Sequence, residues 1–377
     1  MWLTGANLKN FRNLKEINVS LSKGVNIIYG RNAQGKTNFL ESIYYCSMGR
    51  SLRTSHEREL ICFGENEARL GMGLVKGGSE RAIDAQIIYE SGKTSKNFNI
   101  DKLHIAKTSE LFGLLLIVMF SPEDLSLIKA GPSERRTFMD RELCQISPVY
   151  THELRCYHKV LKQRNNLLKK IKKEIGDGKA YKKSGDTYDL DSLDAWDGQL
   201  CRYGRKIMVF RSDFITEISI YAAETHGRLT GGGEYLKVIY NPDIDDGDLY
   251  EQVIAKNRSR DIQMGSTTSG AHKDDITFLI NGQDARVYGS QGQKRTAALS
   301  AKLAEIETIK ENTGNTPVLL LDDVLSELDE HRQEFLLSKL GEMQTILACT
   351  GVEDIIKKKH RFVDNTLIMR MEVGVLS

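Results

Sequence analysis

The chain has 377 residues, enough for two or more lobes and a sizeable core, and its 53 Lys+Arg against 51 Asp+Glu leave a formal charge of +2. Any nucleic-acid footprint must therefore be a local patch and not an overall field. With 40% hydrophobic and 28% charged residues the composition is that of a globular chain. The longest apolar run, Leu111 to Phe120, is interrupted by a glycine and the amino terminus lacks a signal pattern, so membrane integration and export are excluded and a cytoplasmic protein is expected.

Taken in chain order, Ile17, Val19 and Leu21 alternate as on a half-buried strand, and Val25 to Tyr29 is a short apolar run that stops at Gly30. Phe39, Leu40, Ile43 and Tyr44 then recur at helical spacing. Near the other end Val318 to Leu321 and Ile346 to Ala348 are unbroken apolar runs, each preceded by helical sequence. Continuous apolar strands between helices require a parallel sheet covered on both faces, so the two ends read as pieces of one α/β domain.

The middle differs. Leu154, Tyr157, Leu161, Leu168, Ile171 and Ile175 follow a three-four pattern that weakens at Arg164. A second such stripe runs from Leu193 to Phe214, after a polar connection from Gly176 to Asp191. Two antiparallel amphipathic helices of roughly 30–45 Å fit this pattern, either as a short coiled-coil hairpin or as an ordinary helical subdomain. Beyond them, Leu229 to Tyr240 and Ile276 to Val287 hold strand-like runs, with Asn281-Gly282 as a hairpin turn. The expected segments are 1–140, 141–228 (inserted helices) and 229–377.

The six cysteines are scattered, without a C-x-x-C pair or a close histidine, and read as reduced thiols with no zinc site. His272, beside Asp274 and Asp275, reads as part of a structural turn in preference to a metal or acid–base cluster.

Gly30-Arg31-Asn32-Ala33-Gln34-Gly35-Lys36-Thr37 satisfies GxxxxGK[ST], after a buried strand and before a helix. In such a loop backbone N–H groups surround phosphates, Lys36 reaches the β- and γ-phosphates, and Thr37 gives its hydroxyl to Mg²⁺. Asn38 follows directly. Asp322, at the end of the Val318 run, is the expected second metal-binding residue, and Asp323 the residue that orients or deprotonates attacking water.

Ser290-Gln291-Gly292-Gln293 lies between these two elements and opens a helical stretch. It resembles the signature of ABC ATPases, in which the counterparts of Ser290, Gly292 and Gln293 meet the ATP of an opposite subunit. Ser326 to Asp329 resembles the D-loop, adding Asp329 to the nucleotide set. Lys36 and Ser290 are 254 positions apart, a far larger insertion than transporter motors carry.

Together with Asn10 to Asn13, Phe120 to Leu125, Gly131 to Arg136 and Gly270 to Asp275, these strings resemble the RecF family of SMC-like ABC ATPases from one end of the chain to the other. The resemblance implies an ABC-type head with a mixed sheet and an inserted helical lobe, ATP and Mg²⁺ as ligands, and an ATP-dependent homodimer on single-stranded, gapped or duplex DNA. It further implies roles in replication, recombinational repair and SOS induction, working with RecR and, indirectly, RecO and RecA. The expected activity is a slow, DNA-stimulated ATPase. Asp323 is one methylene shorter than the glutamate usual at its place, and Cys349-Thr350 stand where transporter motors carry a switch histidine. A transporter motor subunit and a structural DNA-bridging head are the alternatives.

For DNA the candidates are the basic run from Lys159 to Lys183, notably Lys169, Lys170, Lys172 and Lys173, and Arg53 with Arg50 and Arg58. A solvated helix face explains the run equally well.

Overall fold

The computed structural model describes residues 1–176, 188–351 and 365–376, which pack as two compact units. The first joins Met1–Leu125 to Lys302–Ser377, and the second is Ser126–Ala301. The expected segment 141–228 thus packs in one unit with residues 229–301.

In the first unit, β1 (Trp2–Phe11), β2 (Leu14–Ser20), β4 (Glu67–Lys76), β5 (Ser79–Glu90), β6 (Lys93–Ile100) and β7 (Leu103–His104) form an antiparallel sheet in the order β2-β1-β4-β5-β6-β7. The turns Gly77-Gly78, Ser91-Gly92 and Asp101-Lys102 each hold two positive φ angles, the geometry whose twist matches adjoining strands. The second sheet combines β3 (Val25–Tyr29), β8 (Ile117–Phe120), β12 (Val318–Asp322), β13 (Thr345–Cys349), β14 (Leu367–Glu372) and β15 (Val375–Leu376), in the order β15-β14-β3-β13-β12-β8. All its pairings are parallel except β14 with β15. Strands β8, β12 and β13 are buried at every residue, which is why they read as unbroken apolar runs. Both sheets share one core with α1 (Lys36–Met48), through Leu8, Leu70, Ile83, Ile43, Leu320 and Ile346 among others. Helix α9 (Glu330–Lys339) also belongs to this unit.

The second unit contains α2 (Ser126–Lys129), α3 (Pro132–Ile146), α4 (Pro148–Gly176), α5 (Tyr188–Leu229), α6 (Tyr250–Met264) and α7 (Ala285–Tyr288). It also holds the three-stranded sheet of β9 (Leu236–Asn241), β10 (Asp275–Ile280) and β11 (Gln283–Asp284). The unit boundary falls inside α8 (Gln291–Thr313). Asn281-Gly282 is the expected hairpin turn, with φ of 51° and 82°. Ala285 to Val287 is helical, where a strand was expected, because Asp284 caps the turn by accepting from the Arg286 amide at 2.7 Å.

Helices α4 and α5 are antiparallel: Tyr150 bonds Arg211, Glu153 pairs with Lys206, and Arg164 with Asp197. Helix α5 extends well past the expected Phe214, to 42 residues, or about 63 Å at the α-helical rise. The pair is a helical subdomain more than a free hairpin, since Ile262 of α6 packs on Leu168, Ile171 and Leu193 at its seam. The weak position in the apolar stripe has a physical cause. Arg164 is fully buried and donates to Asp197 (2.6 Å), Asp261 (2.7 Å) and Thr267 (2.8 Å). It belongs to the packing of α4 on α5 and α6, and so leaves the exposed basic run. Ile175, counted in the stripe, is largely exposed.

Two strings noted in the sequence lock onto each other. Arg135 forks onto both oxygens of Asp275 (2.6 and 2.8 Å), and Arg136 donates to the Asp274 carbonyl at 2.8 Å. Buried Asp274 accepts from Arg211, Tyr240 and the Asp243 amide. His272 bonds Tyr157 at 2.7 Å and the Thr267 carbonyl at 3.1 Å, and burial pushes it down to about 4, so it is a neutral structural residue.

Replacing Arg164 by Met would leave the fully buried Asp261 without its cation and Asp197 with Arg258 alone, a loss of about 3–5 kcal/mol. Urea unfolding should show this drop, with partial recovery in Arg164→Met/Asp261→Asn and no change in Lys170→Met. A wild-type midpoint in the first variant would refute the assignment.

Candidate functional site

Parallel pairing of β3 with β13 and of β13 with β12 brings two distant parts of the chain to one sheet edge. The loop Gly30–Gly35 leaves β3 there, and Asp322 ends β12. The loop geometry demands its glycines. A Cβ on Gly30 would come within 2.3 Å of the Met371 carbonyl, while Gly35 has φ 117° and would meet Leu14 at 2.6 Å. Gly30 N–H donates to the Cys349 carbonyl at 3.2 Å, tying the loop's start to the end of β13.

Lys36 is buried along its stem, and its ammonium donates to the carbonyls of Gly30 (2.8 Å) and Arg31 (3.1 Å). The amino end of α1 and a lysine held over the loop suit the binding of an anion. Arg31, Asn32 and Ala33 are exposed around it.

Thr37 donates its hydroxyl to Asp322 at 2.9 Å, across 285 positions of sequence. Asp322 is only 5% exposed, and burial, opposed by the Thr37 bond and reinforced by Asp323, pushes its carboxyl up to about 6. Asp323 stands next to it with φ 50°, its N–H bonded to the Ala348 carbonyl at 3.1 Å and its carbonyl to Ser326 Oγ at 2.7 Å. Cys349 is close enough for Asp323 and Lys36 to act on its thiol, which burial pushes up to about 11. No group of three or more His, Cys, Asp or Glu among the described residues could hold a metal by itself. One hydroxyl and one carboxylate nevertheless suit Mg²⁺, which takes its other oxygens from phosphates and water.

Residues outside the phosphate-loop motif brace it. Asn13 donates to the Ala33 carbonyl at 3.3 Å and accepts from Asn38 at 2.7 Å, and Arg53 donates to Asn38 at 2.9 Å. Buried Glu41, unremarked in the sequence, takes a two-pronged bond from Arg12 (3.0 and 2.9 Å), the Ser51 hydroxyl at 2.5 Å, and Arg53 at 3.6 Å. Gln34 is gripped from the far end of the chain. Its carbonyl accepts from Gly374 N–H at 3.0 Å and its side-chain oxygen from Val373 N–H at 2.6 Å. An acid inside an apolar helix face was the only signal for Glu41; for the β14–β15 turn there was none.

The other candidates are accounted for as follows. Ser290, Gln291 and Gly292 are exposed at the start of α8, while Gln293 turns inward. Asp329 caps α9, accepting from the Arg332 amide at 3.0 Å. Arg58 lies over the Tyr89 ring. Lys169, Lys170, Lys172 and Lys173 are all exposed on α4, though Lys172 reaches the Met264 carbonyl at 3.4 Å and Lys170 pairs with Glu174 at 3.8 Å. Lys179, Lys182 and Lys183 lie outside the described residues. No described helix is long and apolar enough to cross a membrane.

Comparison with known proteins agrees with this architecture. The family model RecF/RecN/SMC N terminal domain matches residues 2–367. The DNA replication and repair protein RecF of Lachnospira eligens is 48% identical over 359 residues, covering 95% of each chain. That of Agathobacter rectalis is 45% identical over 376 residues, covering 100% of this chain and 99% of its own. Among solved structures, the recombination mediator protein RecF-ATP in the RecFOR pathway superposes with a TM-score of 0.87 at 35% identity, over 100% of this chain and 97% of the other. An Smc head domain from Pyrococcus furiosus, at 17% identity and a TM-score of 0.55, shares the fold. With a phosphate loop facing an acidic strand end, and full-length likeness to these relatives, the chain belongs to the RecF family.

Proposed function

We propose that this chain is an ATP-gated DNA-binding protein of recombinational repair and replication, a slow ATPase that closes as a homodimer around two nucleotides. The observation that carries the reading is the Thr37–Asp322 contact beneath the Lys36 loop, which joins the two halves of a nucleotide–metal site. The likeness to a RecF bound to ATP supports it.

In this reading Lys36 exchanges the Gly30 and Arg31 carbonyls for the β- and γ-phosphates, and the loop amides surround them. Thr37 and Asp322 would hold Mg²⁺, which supplies neutralisation of the charge that develops on the transferred phosphoryl group. Asp323 orients the attacking water. Its short side chain reaches less far than a glutamate would, consistent with hydrolysis that times release and does not drive a stroke. Ser290 and Gly292, exposed at the start of α8, would face the nucleotide of the second subunit, and Asp329 is a further nucleotide residue that the resemblance implies. DNA would lie along Lys169, Lys170, Lys172 and Lys173; Arg53, beside the phosphate loop, is a separate candidate. RecR is the partner that the family resemblance implies, with RecO and RecA reached through it, in the cytoplasm.

Sedimentation with ATP, with and without gapped or duplex DNA, tests the gating. A monomer-to-dimer shift strengthened by DNA is expected, lost in Lys36→Ala, and lost in Ser290→Ala although that variant still binds ATP as a monomer. Normal dimerisation of Ser290→Ala would sink the sandwich. For the DNA surface, changing the four α4 lysines to Gln should lower affinity for every sequence alike and reduce the salt slope by roughly 3–4. An unchanged slope would place DNA elsewhere.

Asp322 gives a pH dependence. Its carboxyl binds a proton more tightly in the folded chain (about 6) than in an unfolded one, so its contribution to stability is present below pH ~4 and lost as pH rises through about 6. Asp322→Asn should therefore melt several degrees higher than wild type at pH 7.5 without nucleotide or metal, the gain vanishing at pH 4. Equal melting at pH 7.5 would show that the carboxyl is not strained by burial.

A further inference from the structure

Behind the exposed Ser290 runs a line of polar contacts confined to the second unit. Ser290 and Gln293 form a reciprocal cap on α8: Ser290 N–H donates to Gln293 Oε1 at 2.8 Å, and Gln293 N–H to Ser290 Oγ at 3.2 Å. The remaining amide group of Gln293, Nε2, donates to Glu234 Oε1 at 2.9 Å. The other Glu234 oxygen meets His226 Nε2 at 3.1 Å. His226 is fully buried in the last turn of α5, and its Nδ1 bonds Ser300 of α8 at 3.2 Å. The turn after α5, with φ of 62° at Gly231 and 80° at Gly232, folds the chain back so that Glu234 lies against His226.

We infer that Glu234 is a positioning residue for the signature serine: it orients the Gln293 amide, and Gln293 acts on a facing nucleotide only through Ser290. The logic is one of donors and acceptors. An ionised carboxylate only accepts, so Gln293 must turn its NH₂ to Glu234 and leave its oxygen for Ser290 N–H. The flipped amide would set oxygen against oxygen at one end and two N–H donors against each other at the other. Each end of the Gln293 side chain thereby already carries a protein bond, which sets this reading against the direct nucleotide contact that the resemblance implied for it. His226 fixes Glu234 in turn, so the end of the long helix α5 and the serine that meets the second nucleotide are held by one chain of bonds. This rests on the sandwich reading above.

A swap of donor and acceptor tests it in the full chain. Glu234→Ala removes the acceptor that orients the Gln293 amide and unsettles Gln293. Glu234→Gln/Gln293→Glu restores every pairing with the charge moved one contact along, because Glu also closes this type of cap. Two readouts apply: hydrogen exchange of the segment 285–296 in the nucleotide-free monomer, and ATP-driven dimerisation by sedimentation. Unchanged ATP affinity of the monomer shows that each variant is folded. Glu234→Ala should speed exchange and weaken dimerisation by about tenfold each, the cost of one hydrogen bond, and the swap should return both near wild type. A wild-type-like Glu234→Ala, or a swap that rescues neither, overturns the relay. A swap that rescues exchange but not dimerisation shows Gln293 touching nucleotide directly, and overturns the claim that it acts only through Ser290. If wild type itself stays monomeric with ATP, the sandwich reading fails, and exchange alone still decides the relay.

Discussion

The parallel pairing of β3 with β13 and of β13 with β12 is the constraint on which the first unit depends. It requires residues near 25 and residues near 320 and 345 to lie side by side, so the unit closes only when both ends of the chain have been made. A buried amide secures the junction. Gln344 donates to the carbonyls of Leu3 (2.7 Å) and Ser22 (2.8 Å) and accepts from Leu3 N–H at 2.6 Å, so the first strand and the strand that follows α9 share one side chain's bonds. Loop closure over such a span is costly in chain entropy. The unbroken apolar strands offset it, since each buries both faces at once. The site inherits its precision from this core: the loop and Asp322 are the carboxyl ends of near-neighbour strands, where a backbone shift would strain the packing of Leu320 and Ile346 beneath.

Where the sequence was legible, one local rule sufficed. Strands β3, β12 and β13 are almost wholly buried, so their interiors read as apolar runs broken only by buried Asn26. The phosphate loop is legible because Gly30 and Gly35 are demanded by backbone geometry, and Asp322 because its place at a strand end is chemical. The sheet of β4 to β7 went unread although Ala68, Leu70, Met72 and Leu74 alternate cleanly into the core. Its outer positions are mixed, and its turns include Ser91-Gly92 and Asp101-Lys102, less conspicuous than Asn-Gly. Arg164 illustrates the opposite failure. A basic residue amid other basic residues reads as part of a charged face, and only the approach of Asp197 and Asp261, 33 and 97 positions away, turns it into a core residue. Periodicity did hint at this, since the arginine stands where the apolar stripe required burial.

The string Ser290 to Gln293 shows why a short motif supports two descriptions at once. Ser-x-x-Gln is a common helix-cap pattern, and here it makes both bonds of one. The same cap is what leaves Ser290 outermost on α8. Local folding chemistry and a nucleotide-facing role are therefore not rivals at this position. What separates the signature from an ordinary cap is the further bond to Glu234, 59 positions away, which no local pattern announces.

Burial acts on the nucleotide site in two opposed ways. It removes water from Asp322, which makes the isolated carboxylate costly and favours its proton near pH 6. The same loss of water strengthens the attraction of that carboxylate for a cation once one arrives. A metal–nucleotide complex bound as proposed would therefore meet a site whose free form is strained by its own acid. Its binding would relieve that strain and, near pH 6 and below, release the proton held there. Lys36 works in the same sense, since its ammonium is satisfied by two neutral carbonyls until an anion offers more. Both side chains are thus held in arrangements that are sound without ligand and better with it. A switch needs this property: a site fully satisfied when empty would give ATP nothing to change, and one left wholly unsatisfied would cost the fold its stability.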